Sequence, residues 1–118
     1  MIQKYILNAD LYPGNIAFSD LELDIDIPFE QQIDALKEDM LQVIFPFNLI
    51  LDLGWYSIDT EKGCFQVRVI KEWDWENPIY YNESDNIIGL ISIYRESLGF
   101  CKGYITAYKS RSYDETTN

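Results

Sequence analysis

The most regular pattern in the chain is an alternation. Leu21, Leu23, Ile25 and Ile27 are interleaved with Asp20, Glu22, Asp24 and Asp26. A period of two predicts a strand with one buried face and a second face bearing four carboxylates. Upstream, Pro13 and Gly14 suit positions i+1 and i+2 of a type II turn that separates a short apolar segment, residues 5–7, from the run beginning at Ile16. Downstream, Pro28 suits the first position of a helix, and Phe29, Ile33, Leu36, Met40, Val43 and Ile44 recur at helical spacing until Pro46. Asp34 and Glu38, four apart on the exposed side of that helix, repel each other.

Two strand-like runs follow, 48–57 and 64–71, linked through 59–63. As a hairpin they place Leu51, Leu53 and Trp55 on one face with Phe65, Val67 and Val69. The other face carries Asp52, Tyr56, Gln66, Arg68 and Ile70, with Asp52 and Arg68 as diagonal neighbours in a structural ion pair. This hairpin is expected at the centre of the sheet. Residues 72–83 form a loop dense in aromatics and acids, with one tryptophan expected in the core and Tyr80 or Tyr81 exposed. A second helix is expected over 86–97, capped by Ser84 or Asp85 and stopped by Gly99. Residues 100–108 have strand composition, and 110–118 form a polar, frayed tail. The expected fold is α+β: a single domain over 1–109, with an antiparallel sheet of about four or five strands and two helices packed on it.

Composition narrows the chemistry. The 118 residues include 47% hydrophobic and 15% aromatic positions, enough to build one core but hardly two. There is no histidine, which excludes Ser-His-Asp, Cys-His and zinc-histidine sites. Cys64 and Cys101 match no metal-ligand spacing and read as two buried thiols or, less simply, a disulfide. The alternating acids lack the glycine and closing glutamate of a calcium loop, and the glycines form no phosphate-binding loop. No catalytic, cofactor or metal residues are assigned. Residues 1–8 show no signal peptide. The longest apolar stretch, 87–94, is too short to cross a bilayer, so a soluble cytoplasmic protein is expected.

The net charge of −11 disfavours direct contact with nucleic acid or an anionic membrane. Its distribution says more than its size. Residues 1–61 hold 12 acids and 2 bases, whereas 62–118 hold 8 acids and 7 bases. So one-signed a field favours a basic partner and penalises wrong ones. Asp20, Glu22, Asp24, Asp26, Asp74, Glu76, Tyr80 and Glu83 are expected to face that partner.

The segments Leu51-Asp52-Leu53-Gly54-Trp55-Tyr56, Gly63-Cys64-Phe65-Gln66-Val67-Arg68-Val69-Ile70 and Asp74-Trp75-Glu76-Asn77-Pro78 resemble a pattern in small acidic bacterial immunity proteins. These are encoded beside polymorphic toxins, including those of contact-dependent growth inhibition systems. The resemblance spans residues 50–79 and implies stoichiometric neutralisation of a cognate cationic toxin domain, often a nuclease. It implies no catalytic residues, and such families differ in fold. Two other readings stand beside it. One is an acidic nucleic-acid mimic that occupies a DNA-binding protein; the other is a small carboxylate-based hydrolase, which needs two converging acids in a deep pocket.

Overall fold

The computed structural model describes residues 10–57 and 63–116, with side chains as far as Ser110. The apolar segment 5–7, most of the hairpin link and residues 117–118 lie outside the described residues. Five antiparallel strands form one sheet: β1 (Asn15–Ser19), β2 (Leu41–Phe45), β3 (Leu49–Ser57), β4 (Gly63–Lys71) and β5 (Tyr80–Ser84), in that spatial order. A short 3-10 helix, Phe29–Ala35, precedes β2, and one long helix, α1 (Ile87–Thr116), packs across β3, β4 and β5. The fold is α+β, as expected.

The central hairpin is where its alternation placed it. Leu51 opposes Val69, Leu53 opposes Val67 and Trp55 opposes Phe65, and all but the half-buried Trp55 lie in the core under α1. Asp52 is directly across from Arg68, one step nearer than the diagonal the sequence suggested.

The segment before the hairpin differs from expectation. Period-two burial holds for Leu21 and Leu23, and the Asp20 N–H still bonds to the Met40 carbonyl at 2.8 Å. At Asp24 the chain turns. The Ile27 N–H bonds to the Asp24 carbonyl, and the Asp26 N–H bonds to Asp24 Oδ1 at 2.9 Å. Gln32 then occupies the place of a neighbouring strand. Its Oε1 accepts from the Asp24 N–H at 2.8 Å, and its Nε2 donates to the carbonyls of Asp24 and Ile27 at 2.7 and 2.9 Å. The strand expected through Ile27 therefore does not form.

The long helix expected over 29–45 is also absent. Its first part is a 3-10 turn kinked at Gln32, and Leu36 is already extended. Val43 and Phe45 are buried because β2 is a strand. Leu41, Val43 and Phe45 point into the core while Gln42 and Ile44 face the other way. A run of Leu-Gln-Val-Ile-Phe satisfies both periods over a short window, and pairing with β3 settles it. Pro46 opens the β2–β3 turn, where Phe47 and Asn48 hold φ of 67° and 58°. The earlier turn spans Leu11 to Gly14, closed by the Gly14 N–H on the Leu11 carbonyl at 2.6 Å, with a cis Tyr12–Pro13 bond. Pro13 thus stands at i+2 and not i+1.

The last third is one helix, with no strand over 100–108. Gly99 and Gly103 lie inside α1, and a Cβ on either would meet nothing within 4 Å. Buried Leu90, Tyr94, Ser97, Leu98, Cys101 and Ile105 keep the three-and-four spacing across both glycines. The cap is Asn86, whose Oδ1 accepts from the Gly89 N–H at 2.7 Å, in place of Ser84 or Asp85. An aromatic row, Phe100, Tyr104 and Tyr108, runs down the helix and meets Tyr80 and Phe47. Lys71 Nζ lies 5.7 Å from the Tyr104 ring. No helix among the described residues is long and apolar enough to cross a membrane.

Candidate functional site

Three surfaces carry chemistry. The first is the sheet face turned away from α1. Gln42 Nε2 donates to Asp52 Oδ1 at 3.0 Å, and Arg68 Nη2 donates to Gln66 Oε1 at 2.6 Å. The Arg68 guanidinium sits 5.1 Å from the Tyr56 ring, and its Nε is 4.0 Å from Asp52 Oδ2, at the limit of an ion pair. Arg68 Nε is buried without a hydrogen bond. Asp52 is only 3% exposed, and burial pushes its carboxyl above the ordinary value, against the pull of Gln42 and Arg68. Further along, Glu83 Oε2 accepts from the Tyr81 hydroxyl at 2.8 Å and lies 3.5 Å from the Cys64 sulfur. Desolvation raises the Cys64 thiol, and the nearby Glu83 raises it further. These groups largely satisfy one another, which makes the network a stiffener of the sheet. Cys64 and Cys101 are both free thiols; Cys101, on the buried face of α1, is pushed up to about 12 by desolvation.

The second surface is the β4–β5 connection. Glu72 and Trp73 hold φ of 56° and 64°, in the left-handed region that bulky residues seldom adopt. The result is that Trp73 and Trp75, 59% and 42% exposed, both stand in solvent between Glu72, Asp74 and Glu76. Neither indole enters the core, contrary to the expectation for one of them. The loop is ordered internally: Asn77 Nδ2 donates to both Asp74 oxygens at 3.1 Å, and the Asp74 N–H bonds to the Lys71 carbonyl.

The third surface lies beyond the opposite end of the hairpin. Phe29 packs against Trp55 and Phe65, with ring centroids 5.5 and 6.2 Å away. Beside it an open groove of about 490 Å³ is lined by Ile25, Ile27, Phe29, Glu30, Asp85, Asn86, Ile87 and Ile88. A smaller hollow of about 200 Å³ is lined by Phe18, Asp39 and Gln42.

The residues expected to face a partner are divided among these surfaces. Asp20 is half-buried and bound to Lys37 Nζ at 2.6 Å, while Asp24 is drawn into the local turn. Glu22 and Asp26 are exposed, but the four acids form no single row. Asp74 and Glu76 sit on the tryptophan loop. Glu83 lies on the sheet face, bound to Tyr81. Tyr80 is half-buried beneath α1, where its hydroxyl donates to Glu96 Oε1 at 2.8 Å and its pKa is pushed up to about 12, mainly by burial. Tyr81 is the exposed member of the pair.

Sequence reasoning passed over the groove. Its one signal is the Ile87–Ile88 doublet: adjacent helical residues point about 100° apart, and here Ile87 enters the core while Ile88 faces out. Among the described residues no cluster of three or more acids or thiols is placed to hold a metal ion. No family model matches the chain, and neither a curated protein nor a solved structure matches it.

Proposed function

We propose that this chain is an immunity protein that binds a cognate cationic toxin domain, a nuclease domain in the first instance, and neutralises it stoichiometrically in the cytoplasm. The observation that supports the reading best is the β4–β5 loop. Two indoles are held out to solvent there by backbone in an unfavourable region, and carboxylates alternate with them. Tryptophan is the residue type most enriched among interface anchors, and flanking acids select Lys and Arg on the partner. The acid excess of the N-terminal half steers encounter. Inhibition by occupancy requires no catalytic group, cofactor or direct contact with nucleic acid or membrane.

The test is co-expression with the C-terminal domain of a polymorphic toxin encoded next to this gene. Growth is expected to recover, and the two chains are expected to elute as a stoichiometric complex. The double variant Trp73→Ala, Trp75→Ala is expected to weaken that complex by about 100-fold or more, the scale of two interface anchors. Both side chains are exposed, so circular dichroism should be unchanged. Absence of rescue would overturn the reading. Equal affinity for unrelated basic proteins such as cytochrome c would favour the nucleic-acid mimic instead.

A further inference from the structure

We propose that the groove between residues 25–30 and the first turn of α1 is a second docking point. It would seat an aliphatic side chain from a basic segment of the partner, with Lys or Arg on either side of that residue bound to Glu30 and Asp85. This rests on the reading above that the partner is cationic, and adds how it is recognised.

Three observations support the groove. It is apolar at its base and already formed: Phe29 is wedged against Trp55 and Phe65, the Gln32 amide clamps the preceding turn, and Asn86 caps the helix. A preformed cleft spares the occupant the cost of ordering it. Its volume of about 490 Å³ falls within the range of about 300–1,000 Å³ seen for ligand-sized clefts. Aliphatic surface is also left open where α1 would tolerate any polar residue. Ile88 is 73% exposed in the first helical turn, and Ile27 is 41% exposed opposite it.

Charge decides the occupant. Glu30 and Asp85 are exposed on the groove, and neither joins an ion pair among the described residues. The only base among residues 20–39, Lys37, is already bound to Asp20. The helix N-terminus opposes this with roughly half a positive charge, and Asn86 Oδ1 already occupies one of its donors. Two full carboxylate charges outweigh it, so the site selects a cation-flanked aliphatic residue over an anionic one.

The probe is a blocked hexapeptide of alternating Lys and Leu, titrated into the full chain labelled at isoleucine methyls for NMR. Two control hexapeptides alternate Lys with Ser and Glu with Leu. The Lys–Leu peptide is expected to shift Ile25, Ile27 and Ile88. The exposed substitution Ile88→Ser is expected to weaken it about tenfold, the scale of one aliphatic side chain left unburied, and the pair Glu30→Gln and Asp85→Asn by about as much, the scale of two exposed ion pairs. If the Lys–Ser peptide binds as tightly, or the Lys–Leu shifts avoid the groove, the docking point is wrong while a cationic partner stands. If the Glu–Leu peptide binds the groove as tightly, the cationic reading of this surface fails.

Discussion

Asp52 is the residue at which burial and charge conflict most directly. Its carboxyl is almost fully enclosed between Gln42 and Arg68, and desolvation outweighs both partners. A carboxyl with a raised pKa binds more protons in the folded state than in the unfolded chain between the two values. Its contribution to stability is therefore complete below the unfolded value of about 3.9 and is lost as pH rises through the folded value. Asp52→Asn removes that titration while leaving an acceptor for Gln42. Urea unfolding should show the stability of the parent falling relative to this variant as pH is raised from about 4 towards 7. A difference that is flat across that interval would show that Asp52 ionises as freely in the fold as out of it. The Asp52–Arg68 pairing was legible from alternation alone. The rise in pKa was not, because it depends on what encloses the carboxyl.

Among the elements, two kinds of glycine behave oppositely. Gly54 sits in β3 where a Cβ would come 1.8 Å from the Glu38 carbonyl oxygen, a backbone atom that cannot step aside. That approach lets the chain before β2 run close along β3, with the Trp55 N–H on the Lys37 carbonyl at 2.7 Å and the Met40 N–H on the Leu53 carbonyl at 3.0 Å. Gly99 and Gly103 face open space in α1. Thermal unfolding should therefore separate them. Gly54→Ala is expected to destabilise by about 2 kcal/mol or more through forced displacement. Gly99→Ala and Gly103→Ala are each expected to stabilise by about 0.5–1 kcal/mol, by restricting the unfolded chain and improving helix propensity. Equal destabilisation at all three would contradict this placement. The same glycines explain why the sequence pattern points to the wrong element here. Gly99 resembles a helix stop, and Tyr104, Ile105 and Thr106 favour strands locally, but Cys101 and Ile105 are buried at helical spacing against the sheet. Packing of that face overrides local propensity.

For the whole molecule, the acid excess is spread along a path and not gathered on one strand face. Glu22, Asp26, Glu30 and Asp34 follow the turn and 3-10 segment, and Asp74 and Glu76 lie at the other end of the hairpin. β3 and β4 have nine residues each, so the two ends stand about 25–30 Å apart at about 3.3 Å per residue. Steering by so extended a field acts mainly on encounter. If the proposed toxin is the partner, stopped-flow association with its domain is expected to slow by about tenfold or more between low and high salt, with dissociation changing far less. An association rate indifferent to salt would remove the acid excess from the mechanism.

The sequence by itself determined the α+β class, the central hairpin with its inward set of Leu, Val and Phe residues, and the concentration of acids before Lys62. Those features follow from alternation and composition, which act locally. Tertiary structure decided the rest. Residues 20–27 alternate as a strand and 41–45 fit either period, and only the Gln32 clamp and pairing with β1 and β3 made a turn, a 3-10 segment and an interior strand of the stretch. The exposure of Trp73 and Trp75 depends on two backbone angles at a turn. The groove depends on residues about sixty positions apart meeting at one end of the sheet. Composition records neither, because the first is set by backbone conformation at one turn and the second by contact between segments distant in the chain.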